Sequence, residues 1–128
     1  MKALLDTQVF LWWNMDDPRL SQTARDLITD GRNELYLSAA SAWEIAIKAA
    51  RGSLILPEPP EQYVPSRMRL HRLLAMPIQF RHALHVYDLP PIHRDPFDRL
   101  LIAQSRLEDL PILTIDPEIG RYDVNVIW

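Results

Sequence analysis

The chain has 128 residues, 48% of them hydrophobic, with 14 basic and 17 acidic side chains and a formal net charge of −3. That size suits one compact domain spanning 1–128 and burying about two-thirds of the surface its unfolded chain exposes; the charge excludes a protein that grips nucleic acid through bulk positive potential, but not one acting on it at a focused site. The absence of cysteine excludes disulfide frameworks, thiolate zinc sites and cysteine nucleophiles, and points to the reducing cytoplasm.

The opening MKALLDTQVFLWW is a poor signal peptide: Asp6 interrupts its apolar run and no small-residue cleavage site follows. It is also too short to span a bilayer, so no membrane role is expected. Within it, ALLDT (3–7) reads as a buried strand and VFLWWN as a short helix that DDPRLS breaks. Ser21 is a good N-cap for SQTARDLITDG, which Gly31 stops. ELYLSA reads as a second strand, followed by the helix SAWEIAIKAARG with Ser41 and Glu44 at capping-box spacing.

LPEPPEQY is a proline-rich loop leading into a helix over 61–74 that carries Arg67, Arg69, His71 and Arg72. AMPI reads as a third strand, QFRHALHVYDL as a helix, and PFDRLLIAQSRLEDL as a clearly amphipathic helix. PILTID is then a strand, PEIGRY a turn or short helix, and VNVIW a last strand. Strands alternating with helices predict an α/β domain, a mainly parallel sheet covered by helices on both faces. Ligands of such folds bind beyond the carboxyl ends of the strands.

The acids fall at those ends. Asp6 follows the first strand, Asp116 ends PILTID, Glu44 opens the helix after the second strand, and Asp95 and Asp98 open the helix in HRDPFDRLL. On one rim of a parallel sheet they would repel one another strongly enough to raise pKa values or require a cation. An all-oxygen donor set suits a hard divalent ion, Mg2+ or Mn2+. Locally each acid also has a simpler reading: Asp95 as an N-cap before Pro96, Asp98 as first-turn charge favoured by the helix dipole, Glu44 as a capping-box partner and Asp116 as a turn residue.

LLDT, WEIAIK, DPFDRLLIAQS and LTIDPEIGRYDVNVIW resemble, in order and spacing, the acidic motifs of PIN-domain ribonucleases, and most closely the VapC toxin subunits of bacterial toxin–antitoxin pairs. The resemblance covers essentially the whole chain and implies a three-layer α/β/α fold. It implies further that Asp6, Glu44, Asp98 and Asp116 are the catalytic, metal-coordinating quartet, with Asp95 an extra acid that caps the helix and assists the metal or water. The implied activity is Mg2+- or Mn2+-dependent hydrolysis of RNA phosphodiester bonds, and the implied partners are a VapB-like antitoxin and a second copy of the chain in a homodimer.

Thr7 and Thr114, next to ligand positions, are candidates to hydrogen-bond the carboxylates. Arg67, Arg69, Arg72, Arg94 and Arg99 are candidates for the RNA backbone, although each alone also reads as part of a solvated helix face. His82 and His85 are three apart but lack a third ligand; His71 and His93 carry no assignment. Trp12, Trp13, Trp43 and Trp128 read as core or interface. Two rival readings remain. One is a receiver- or dehalogenase-like phosphotransfer domain, disfavoured by Gln8 where a second acid belongs and by having only Lys2 and Lys48. The other is a catalytically inert PIN-like binding module.

Overall fold

The computed structural model describes residues 1–128. Five short strands, β1 (Lys2–Leu5), β2 (Glu34–Ser38), β3 (Leu74–Met76), β4 (Ile112–Leu113) and β5 (Val126–Ile127), form one sheet in the order β3-β2-β1-β4-β5. Every pairing is parallel, as the alternation of strands and helices predicted. The connections run through helices α1 (Thr7–Asn14), α2 (Gln22–Thr29), α3 (Ala39–Ala50), α4 (Pro60–His71), α5 (Phe80–His85) and α6 (Pro96–Glu108).

Successive strand residues point to opposite faces, and both faces are apolar. Ala3, Leu5, Leu35, Leu37 and Leu113 pack with Phe10 of α1, Ile45 of α3 and Tyr63 of α4 on one side. Leu4, Tyr36 and Ile112 pack with Leu100, Leu101 and Ala103 of α6 on the other. The sheet is therefore the middle layer of three. The chain builds outward from β1 through β2 to β3, then returns through α6 to β4 on the other side of β1. This reversal opens a crevice between the carboxyl ends of β1 and β4, where α/β sheets bind ligands.

Several elements differ from the sequence expectation for identifiable reasons. The first strand ends at Leu5, so Asp6 is the N-cap residue of α1 and Thr7 is already helical. The Ser41–Glu44 capping box does not form: Ser38 caps α3 by accepting the Ala40 N–H at 3.0 Å, and Glu44 falls in the second turn. Ser41 Oγ instead accepts the Thr7 hydroxyl at 2.7 Å, a buried tie between α1 and α3.

The helix expected over 61–74 stops at His71, because Arg72 turns left-handed at φ 57° and Leu74–Met76 pair with β2. The next helix shortens to α5 and a 3-10 turn over Val86–Asp88, whose Val86 carbonyl accepts the Arg99 guanidinium. PILTID shrinks to β4, because the Thr114 hydroxyl accepts the Asp116 N–H at 3.0 Å and turns the chain out of the sheet.

Leu101 is fully buried beneath the sheet, so Leu101→Ala is expected to lower stability by about 2–5 kcal/mol. The urea midpoint, with the m-value unchanged, measures the loss.

Candidate active site

The crevice is a cleft of about 580 Å³ lined by Asp6, Glu44, Asp95, Asp98 and Asp116, with Lys48 and Arg19 among the other lining residues. Each acid arrives on a different piece of local structure. Asp6 is held where β1 ends, its N–H donating to the Leu113 carbonyl of neighbouring β4 at 3.0 Å. Its side chain does not cap α1; Oδ2 accepts the Thr114 hydroxyl at 2.7 Å. Asp116 lies two residues beyond Thr114, with Oδ1 accepting the Glu118 N–H at 2.9 Å.

Asp95 caps α6 through Oδ1 alone, accepting the N–H groups of Phe97 and Asp98 at 2.8 and 3.2 Å. That leaves Asp98 in the first turn, where the positive end of the helix dipole favours a carboxylate. Glu44 reaches the cleft from α3, and Lys48, one turn later, holds its Oε2 at 2.6 Å. Glu44 Oε1 is buried without any hydrogen-bond partner. An acceptor kept from water and left unpaired needs a positive or proton-bearing partner, and with all-oxygen acids around it this donor set fits a hard divalent cation.

The electrostatics point the same way. Burial pushes the Asp98 carboxyl up to about 7, helped by the charges of Asp6 and Asp95. Burial also raises Asp6, against the Thr114 hydrogen bond that lowers it, with Glu44 and Asp116 adding repulsion. Lys48 is raised chiefly by its hydrogen bond to Glu44.

His93 was not singled out in the sequence, yet it sits among the acids. Its Nε2 lies 2.8 Å from Asp116 Oδ2 and 3.2 Å from Asp98 Oδ2, and a ligating atom from each of these three residues fits within 4.8 Å of the others. Burial disfavours the charged ring, but the hydrogen bond to Asp116 and the charges of Asp98, Asp116 and Glu118 outweigh it and raise its pKa. The available signal was its position two residues before Asp95. Lys48 was legible too, being four residues after Glu44; Arg19, stacked 4.7 Å over Trp12 and paired with Asp17, was not.

The candidate RNA-contacting arginines are dispersed. Arg67, Arg69 and Arg72 do not line the cleft, and Arg67 lies over Tyr63 and pairs with Glu58. Arg99 is half-buried and its guanidinium donates to the carbonyls of Pro90, Val86 and Leu89 and to the Tyr122 hydroxyl, and it does not line the cleft. Arg94 is exposed on the loop before α6. Thr7 bonds Ser41 rather than a carboxylate. His82 and His85 form no metal pair: His82 completes a capping box with Gln79 and bonds Glu108. His71 joins Trp13 and Asn14.

An all-parallel α/β sheet with acids gathered at its switch point is the class that the fold and site define. The chain belongs to the PIN domain family, whose model matches residues 3–125. Over 72 residues it is 44% identical to Ribonuclease VapC16 of Mycobacterium tuberculosis (strain ATCC 25618 / H37Rv), covering 53% of this chain and 51% of that protein. The match thus spans about half the length of this curated relative. Among solved structures, VapBC2 from Rickettsia felis bound to a DNA fragment from their promoter superposes with a TM-score of 0.72 at 12% identity, over 99% of this chain and 98% of that one. A toxin-antitoxin complex from Klebsiella pneumoniae gives 0.68 at 16% identity, over 98% and 96%. At these identities the structural likeness is one of fold.

Because the Asp98 pKa is raised in the folded state from 3.8 to about 7, its contribution to stability is fully present below the unfolded value and lost as pH rises through the folded one. In EDTA, Asp98→Asn is therefore expected to be more stable than wild type near pH 8, on the order of 2 kcal/mol, with the gap narrowing below about pH 7 and closing toward about pH 4. Paired thermal melts across that range measure it, and added Mn2+ is expected to raise the wild-type Tm more at the alkaline end.

Proposed function

We propose that this protein is a metal-dependent endoribonuclease, the toxin member of a VapBC-type pair, acting in the cytoplasm. The observation that carries this reading is the meeting of acids from four separated chain segments in one cleft, with a buried Glu44 oxygen left unpaired. Membership of the PIN family and the sequence match to a ribonuclease named VapC16 support RNA as the substrate class. Likeness of fold to a VapBC assembly and to a toxin–antitoxin complex supports an antitoxin partner.

Asp6, Glu44, Asp98 and Asp116 would hold Mg2+ or Mn2+, with Asp95 beside them. When bound, the cation polarises the phosphate, acidifies the attacking water and steadies the leaving oxygen. The protein's own groups do the positioning. Thr114 fixes the Asp6 carboxylate through its hydroxyl, and the N-terminus of α6 offsets the charge of Asp98. Lys48 and Arg19 line the same cleft and, with exposed Arg94, are the cations proposed to receive RNA phosphates. An inert binding module has no need of an unpaired buried carboxylate oxygen, which is why the catalytic reading is preferred.

Purified, antitoxin-free protein is expected to cut total RNA at discrete positions with Mg2+ or Mn2+ and not in EDTA. Asp98→Asn is expected to lower the rate by a factor on the order of 10²–10³ or more. Equal cleavage by wild type and a folded Asp98→Asn preparation would point to a contaminating nuclease and sink the assignment.

A further inference from the structure

His93 is anchored through its backbone and through its ring. Its backbone N–H donates to the buried Tyr122 hydroxyl at 2.7 Å, and its Nδ1 receives the Asp95 backbone N–H at 3.1 Å. The ring is largely enclosed, 12% exposed at the side chain. Nε2 then faces Asp116 Oδ2 at 2.8 Å and Asp98 Oδ2 at 3.2 Å. Proximity to two acids makes Nε2 look like a nitrogen ligand for the same cation; the hydrogen-bond partners argue otherwise.

A neutral imidazole has one donor and one acceptor nitrogen. Since a backbone N–H points at Nδ1, Nδ1 is the acceptor and the hydrogen resides on Nε2. There it meets Asp116 Oδ2, which accepts it, with Asp98 Oδ2 alongside at 3.2 Å. Ligation through Nε2 would require that hydrogen to leave and Nδ1 to carry one instead, setting two donors against each other at 3.1 Å. The Asp95 N–H thus selects the tautomer that cannot ligate.

We propose that His93 is the positioning residue of the acidic cleft: its Nε2–H donates to Asp116 Oδ2 while the same ring edge lies against Asp98 Oδ2, holding the two carboxylates in register for a divalent cation, and it is not itself a ligand. The two acids come from different elements, one from the loop after β4 and one from the first turn of α6, and like charges drive such groups apart. A donor between them keeps both oxygens on the same side of the cleft. The same segment supplies the α6 cap, so the Asp95 N–H orients the ring while the Asp95 carboxylate orients the helix. The proposal rests on the functional reading in one respect, that these carboxylates receive a divalent metal ion.

The test uses the full chain with two readouts besides RNA cleavage. Imidazole nitrogen NMR in alkaline EDTA solution is expected to find the His93 hydrogen on Nε2; a hydrogen on Nδ1 would overturn the proposal. Calorimetric titration with Mg2+ and with Mn2+ is expected to show both affinities weakened by His93→Leu by a similar factor, on the order of tenfold or more. His93→Gln, whose amide N–H also donates, is expected to recover most of that loss. Loss of Mn2+ affinity with Mg2+ affinity kept would mark His93 as a nitrogen ligand, and unchanged affinities would give it no role; either result overturns the proposal. A wild type that binds metal with the hydrogen on Nε2 but cuts no RNA would sink the nuclease reading alone, whereas one that binds neither metal would sink both.

Discussion

Like charges brought within a few ångströms of one another are the constraint around which this molecule is arranged. At an effective dielectric constant near 20, two unit charges 4 Å apart interact by about 4 kcal/mol, and here five acids line a single cleft. The fold offsets part of that repulsion with groups it can place: Lys48 on Glu44, the Thr114 hydroxyl on Asp6, the His93 ring between Asp98 and Asp116, and the N-terminus of α6. Burial, with the charges of Asp6 and Asp95 added to it, still leaves the Asp98 carboxyl raised to about 7, and one buried Glu44 oxygen has no hydrogen-bond partner. A site left in that condition is ready for a cation.

Only a rigid scaffold can hold such a site together. All five strands run the same way, so all carboxyl ends share one rim, and both sheet faces are sealed by helices whose apolar side chains leave the strands no room to slide. The order β3-β2-β1-β4-β5 places the reversal of direction beside β1. Asp6 and Thr114 therefore meet across the central pair of strands although they are 108 residues apart in the chain.

The segment HRDPFDRLL shows how several demands are met by few residues. Asp95 closes the free N–H groups of α6, Pro96 occupies the first helical position where no N–H is needed, and Asp98 is released to face the cleft. The imidazole two residues upstream takes the Asp95 N–H and turns its other nitrogen to the acids. Arg99 faces the opposite way and ties the preceding loop to the helix through backbone carbonyls, which is why a basic side chain inside the most acidic motif does not line the cleft.

Much of this was legible in the sequence because it is local. The alternation of short apolar runs with amphipathic helices determined the parallel α/β class, and an acid directly after such a run, as at Asp6, had to lie near a strand end. The Asp95–Pro96 cap and the Glu44–Lys48 spacing are also readable within one turn of helix. What only the tertiary structure decided are contacts between distant segments: Thr7 with Ser41 instead of a carboxylate, Thr114 with Asp6, Arg99 on the carbonyls of the preceding loop, and His93 between two acids. The Ser41–Glu44 spacing suggested a cap, but Ser38 took that role once β2 ended beside it. A sequence specifies which groups need partners; which partner each one finds depends on the docking of strands and helices, and that is decided by the packing of the whole core.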